Sequence, residues 1–346
     1  MAHFSWAQLK RTMKHEMSRR RFLGAAALAG AALPGVLTDA LAADSNSPIA
    51  ITTDSIPVID THIHLYDPFR PQGVPWPNRE NKVLYQTTLP ARYQPIAQPL
   101  GIVGAIAVEC SHWPDDNNWV LEVAAKEKII VGTVGYLVPG TPEFRPSLDR
   151  LRKNPLFRGI RYGLGKQSGR EFDRPEFVAD LKALADADLV LDTANPSVAL
   201  LADVLSVSDR VPHLRVVIDH LPQMPLPTET AARASYDASM KALRNRPQIY
   251  AKVSEVLRRV NGNIPTDAKF YQPRLDEILD VFGSDRVLYG SDWPNSDQWL
   301  PVPVGFKIVQ EYFLGKGKVS AEKYFWRNSL NCYKWVKRTN SQPRPA

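Results

Sequence analysis

Eight short apolar runs rich in β-branched residues, spaced along residues 57–290, restrict the fold of this chain more than any other feature. They fall at 57–62, 103–109, 130–137, 157–162, 188–192, 214–219, 248–253 and 286–290. Helical periodicity fills many of the intervals, at 116–127, 174–186 with Pro175 in its first turn, 196–206, 228–244 and 271–282, and recurs at 320–336. The runs are nearly continuous rather than alternating, as parallel strands covered on both faces should be. Strand followed by helix about eight times predicts an α/β fold, a (β/α)8 TIM barrel forming a single domain over 57–336 with a tail at 337–346. The competing open doubly wound sheet usually carries a glycine-rich phosphate turn after its first strand, and none follows 57–62. A length of 346 residues, 44% of them hydrophobic, suffices for such a core.

In a barrel, residues that end different strands meet at one rim although they are distant in sequence. The first run closes in Val58-Ile59-Asp60-Thr61-His62-Ile63-His64. Strand alternation places His62 and His64 on one side, roughly 6–7 Å apart at their backbones. Glu109 ends the second run, Arg161 the fourth, His220 the sixth, Lys252 and Ser254 the seventh, and Asp292 the eighth. Neutral imidazoles and carboxylates gathered this way bind a divalent cation or move protons. The Arg161 fork suits a substrate carboxylate, with Lys252 as a second cation. Asp60 is a candidate acceptor for an imidazole N–H, or for local backbone. The stretch 67–100 holds seven prolines and little periodicity, which predicts a wall or lid over this rim, with Tyr66 and Trp76 as contacts. His112, Trp113 and Trp293 are further lining candidates, whereas His213 precedes its strand and belongs at the opposite end.

The net charge of +7 invites a nucleic-acid reading until it is located. Residues 1–42 hold six basic and two acidic residues, leaving +3 for the rest, which gives no argument for a polyanion partner. Ser18-Arg19-Arg20-Arg21-Phe22-Leu23, a weakly apolar stretch to Leu37 and then Ala40-Leu41-Ala42 resemble a twin-arginine export signal over 1–42, followed by a linker at 43–56. The expectation is a periplasmic or exported protein handled by the twin-arginine machinery. The apolar stretch falls short of the ~20 residues a membrane span requires. Cys110 and Cys332 are expected as two separate thiols.

Asp60-Thr61-His62-Ile63-His64, Gly73-Val74-Pro75-Trp76-Pro77, Val108-Glu109-Cys110-Ser111, Arg158-Gly159-Ile160-Arg161, Val217-Ile218-Asp219-His220 and Gly290-Ser291-Asp292-Trp293-Pro294 occur in this order. Together they resemble the amidohydrolase superfamily over residues 55–336, and within it the amidohydrolase-2 branch near the sugar-lactone and pyrone-dicarboxylate lactonases. The resemblance implies a hydrolase that opens a lactone or related carboxylic ester. It makes Asp292 the acceptor of a proton from the attacking water. It makes His62 and His64, with Asp292 and Glu109, ligands of one divalent ion, zinc foremost; in metal-free lactonases the histidines polarise the substrate directly. His220 contacts the scissile carbonyl or completes the metal site.

The fourth strand ends in Arg161-Tyr162 and the fifth in Leu191-Asp192-Thr193, where many members carry a histidine or carboxylated lysine, so a binuclear centre is not expected. The implied substrate is a small molecule bearing a carboxylate or hydroxyls. Two other functions stand beside this one: a metal-dependent non-oxidative decarboxylase of an aromatic acid, and a catalytically silent small-molecule binding protein that keeps the barrel.

Overall fold

The strand-forming runs pair in their sequence order. The computed structural model describes residues 56–165 and 170–344; the expected export signal, and the linker apart from Ile56, lie outside them. Eight parallel strands run β1 (Val58–Ile63), β2 (Ile102–Val108), β3 (Ile130–Gly135), β4 (Phe157–Arg161), β5 (Val190–Asp192), β6 (Arg215–Ile218), β7 (Ile249–Val253) and β8 (Val287–Tyr289), each beside the next. All lie within two residues of the sequence expectation. A helix follows every strand: α1 (Pro90–Ala97), α2 (Asp116–Lys126), α3 (Phe144–Leu151), α4 (Pro175–Asp186), α5 (Val198–Arg210), α6 (Thr230–Leu243), α7 (Ala268–Phe282) and α8 (Val302–Gly315). No helix among the described residues is long and apolar enough to cross a membrane.

The sheet curls until its first and last strands meet just beyond β8. Ile63 bridges Trp293, His64 N donates to Trp293 O at 2.8 Å, and Asp292 N donates to His62 O at 2.8 Å. Gly290 permits this approach, because a Cβ there would sit 2.9 Å from His62 Cβ. The bonds that close the barrel are therefore the bonds that bring Asp292 beside the two histidines of β1. Among the described residues, the Asp60 carboxylate has no imidazole as a hydrogen-bond partner. It accepts from His62 N, Ser291 N and Tyr93 Oη at 3.1, 2.9 and 2.6 Å, and so takes the local-backbone role.

Two expectations need correcting. The stretch 67–100 is not all irregular: α1 and a 3-10 turn (Gln98–Leu100) occupy its end, with Pro90 in the first helical turn, where a missing N–H costs nothing. The segment after 336 is not a free tail. Arg338 donates to the carbonyls of Ala125, Glu127 and Ile130 at 2.8–2.9 Å, and Gln342 to those of Val103 and Lys128 at 3.0 Å. Before it, the expected single helix is α9 (Lys318–Glu322), a π-helical turn (Lys323–Arg327) and α10 (Asn328–Tyr333).

The hydrophobic core has two parts. The larger packs helices onto the sheet; the smaller joins Ile59, Ile106, Val131, Val190, Val217 and Leu288 of the strands to Trp326, Tyr333 and Trp335. Cys110 and Cys332 are both free thiols.

Candidate active site

Three imidazoles surround one carboxylate oxygen at the C-terminal rim of the strands. Asp292 Oδ1 lies 3.1 Å from His64 Nε2, 3.4 Å from His62 Nε2 and 3.8 Å from His220 Nε2. All four side chains are buried. Burial foremost lowers the pKa of each ring, to about 4 for His64 and well below the ordinary value for His62 and His220, so the imidazoles are neutral. Burial also raises the Asp292 carboxyl, to about 6.

His64 Nδ1 lies 3.0 Å from Val108 O, and because a carbonyl only accepts, the ring hydrogen is on Nδ1. The lone pair on Nε2 then faces the Asp292 oxygen, two acceptors with nothing between them. His62 Nε2 and Asp292 Oδ2 are likewise buried without a hydrogen-bond partner. A divalent ion answers this arrangement: tetrahedral ligands at about 2.1 Å stand roughly 3.4 Å apart, the spacing seen here. The groups close enough to share an ion are His62–His64–Asp292, His220–Glu255–Asp292 and His62–Asp219–His220. The donors thus suit a divalent cation.

Beneath the histidines lies a charge network. Lys252 Nζ is 2.8 Å from Asp192 Oδ2 and 2.8 Å from Asp219 Oδ1, and 3.2 Å from His62 Nδ1. Asp219 Oδ2 meets Arg161 Nε at 3.1 Å and His62 Nδ1 at 3.6 Å. Tyr333 Oη donates to Asp192 from the C-terminal helix. Burial works against the charges of Lys252 and Arg161, but the carboxylates around them outweigh it and raise both pKa values.

Several expected roles change. Lys252 is fully buried in its ion pairs, so it supports the site from below instead of meeting substrate. Arg161 keeps 12% of its side chain exposed and is the cation able to do so. Glu109 joins none of the close ligand groups; it lines a pocket wall with Trp76, and burial raises its pKa. Trp76 of the loop stands 5.8 Å from the His64 ring, while Tyr66 packs behind it with its hydroxyl given to Leu84 O. Trp293 is fully buried, with its ring packed against Tyr93 and Arg92. His112 is exposed outside the cluster, and His213 is exposed just ahead of β6, as expected.

Asp219 and Glu255 were not singled out as site residues by the sequence pattern. Glu255 follows β7, and burial together with the Asp292 charge raises its carboxyl to about 10. His220, Glu255 and Asp292 all hold left-handed backbone, at φ +53°, +48° and +58°. Asp and His visit this region more readily than Glu. His220 Nδ1 lies 2.7 Å from Ser254 Oγ, which fixes the ring.

A family model described as amidohydrolase matches residues 59–335. An L-fucono-1,5-lactonase of Burkholderia ambifaria is 26% identical over 239 residues, which is 69% of this chain and 80% of that protein. The crystal structure of an amidohydrolase from Burkholderia multivorans with bound zinc superposes with a TM-score of 0.69 at 23% identity, covering 81% of this chain and 99% of that one. A 2-pyrone-4,6-dicarboxylic acid hydrolase structure from Pseudomonas putida, itself assigned provisionally, gives a TM-score of 0.63 at 17% identity, covering 81% and 98%. At these identities the two structures show the shared fold.

Proposed function

Because this chain belongs to the amidohydrolase family, we propose that it opens a lactone or related carboxylic ester of a small hydroxy acid, with Asp292 taking the proton from the attacking water. The observation that carries this reading is the ring of three imidazole Nε2 atoms, 3.1–3.8 Å from Asp292 Oδ1, at the C-terminal rim of the barrel. A general base works best when its pKa approaches the working pH, and burial moves Asp292 in that direction. With Ser254 donating to His220 Nδ1, His220 Nε2–H is left to hydrogen-bond the scissile carbonyl oxygen. Arg161 holds a substrate carboxylate or hydroxyl, and Trp76 closes the loop side.

His62, His64 and Asp292 would hold a single divalent ion, zinc foremost. Bound there, such an ion acidifies water and polarises the carbonyl. His62 Nδ1 lies 3.2 Å from the Lys252 ammonium, which only donates, so His62 would turn an Nε2 lone pair to the ion with its Nδ1 hydrogen shifted towards Asp219 Oδ2, 3.6 Å away. The arginine-rich N-terminus completes the proposal with twin-arginine export to the periplasm, checked by fusing residues 1–42 to a reporter that works only after export.

The relatives' names supply the first test panel: L-fucono-1,5-lactone, 2-pyrone-4,6-dicarboxylate and simple esters, followed by acid release in weak buffer. Turnover that drops about 10²–10⁴-fold in Asp292→Asn fits the role of a general base. Turnover undiminished in that variant removes Asp292 from the mechanism. Carbon dioxide released from aromatic acids, with the lactones untouched, would replace the hydrolase by a decarboxylase. Tight binding without turnover would replace it by a binding protein.

A further inference from the structure

We propose that Glu255 is a ligand of the divalent ion in this site, adding a carboxylate from the end of β7 to that of Asp292 beyond β8. The inference rests on the reading that the site holds one ion, and it concerns which groups of this chain complete that ion's surroundings. Ligand atoms of Glu255, Asp292 and His220 lie within 4.8 Å of one another. Glu255 therefore points its acid group at a second buried acid. Among the described residues its one ion-pair neighbour is His220 Nδ1 at 3.9 Å, a nitrogen already engaged by Ser254 Oγ. Two carboxyl groups facing each other in a buried place, with no cationic side chain between them, must share either a proton or a cation.

Independent support comes from the orphaned atoms. Asp292 Oδ2 and His62 Nε2 are fully buried without a hydrogen-bond partner, and His62 Nε2 lies 3.4 Å from the other oxygen of the same carboxylate. The charge balance points the same way. Lys252 and Arg161 pair directly with Asp192 and Asp219, and neither makes an ion pair with Asp292 or Glu255. Neutral histidines contribute none. A divalent ion held by Asp292 alone would leave one buried positive charge uncompensated; Glu255 cancels it. The backbone adds to the case, since Glu255 holds φ +48°, a conformation that glycine would adopt without strain.

The test uses the full chain, stripped of metal and titrated with Zn²⁺ against a chelator, with Co²⁺ as a spectroscopic probe. Glu255→Gln keeps the shape, and Glu255→Gly relieves the left-handed backbone. Both variants are expected to bind Zn²⁺ at least about 10-fold more weakly than the parent, and to alter the visible spectrum of the Co²⁺ form. Metal-free Glu255→Gly should melt at or above the parent, which separates a lost ligand from a damaged fold. Either variant binding Zn²⁺ as tightly as the parent with an unchanged Co²⁺ spectrum overturns the inference. A parent chain that binds neither metal overturns the reading of the site beneath it, a result distinguishable from the first.

Discussion

Replacing Lys252 with methionine keeps most of the side chain's volume and removes the ammonium that holds two buried carboxylates together. Breaking a buried pair by deleting one partner costs about 3–5 kcal/mol, because the other charge stays behind. Here part of the loss is offset. Asp219 keeps Arg161 at 3.1 Å, and Asp192 keeps the Tyr333 hydroxyl at 2.8 Å, so Asp192 is the carboxylate left without a cation. The lower end, about 3 kcal/mol, is the expected cost, or a fall in melting temperature of about 6–12 °C for a domain this large.

The pH dependence is diagnostic. Burial already raises Asp192 to about 6 against the pull of Lys252, and losing that pull raises it further. A carboxyl whose folded pKa lies above its unfolded value contributes stability that is full below the unfolded value and is lost as pH rises through the folded one. The variant should therefore be nearest the parent in acid and furthest from it in mild alkali. Thermal unfolding followed by circular dichroism at about pH 5 and pH 8 reads both quantities. A variant melting within about 2 °C of the parent at the higher pH, or one whose deficit grows in acid, would show that Lys252 does not hold Asp192 in the way the distances indicate.

Other consequences can be measured alongside. If Asp292 acts as base with its carboxyl raised to about 6, kcat/KM on the best lactone should rise with pH through that value; an acid limb at the ordinary carboxylate pKa would contradict the role of burial. Arg161→Met should raise KM for substrates bearing a carboxylate more than for neutral lactones, and equal effects on both would remove Arg161 from recognition. Gly290→Ala places a Cβ 2.9 Å from His62 Cβ and should cost about 1–3 kcal/mol in urea unfolding. Activity should drop with it, since the same contact closes the barrel and sets the imidazole; full activity in a destabilised variant would separate the two.

The fold was readable because a buried parallel strand leaves a dense apolar run, and eight such runs in order leave few alternatives. α1, α3 and α8 (Val302–Gly315) were not. Pro90, Pro95 and Pro99 disguise the first, and the second is a short amphipathic piece, Phe144–Leu151, without a strong start signal. The exposed sites of His112 and His213 look no different in sequence from the buried site of His220. What separates them is position: His220 directly follows β6, His213 precedes it, and His112 lies out in the loop after β2.

Two further misreadings come from what a strand's alternation leaves out. Period two correctly puts Lys252 and Ser254 on one face, and Ser254 does reach His220. It says nothing of depth, and Lys252 sits too low to meet a ligand because two acids, Asp192 and Asp219, wait for it there. The same rule sends Glu255 to the opposite face. β7 ends at Val253, however, and the left-handed residue at 255 swings the acid back toward Asp292. The turn is costly for glutamate, and a ligand role for the carboxylate would offset that cost. If Glu255 served the fold alone, Glu255→Gly would lower the melting temperature and leave metal affinity unchanged; a loss of metal affinity with the melting temperature held is the outcome that a purely structural role does not produce.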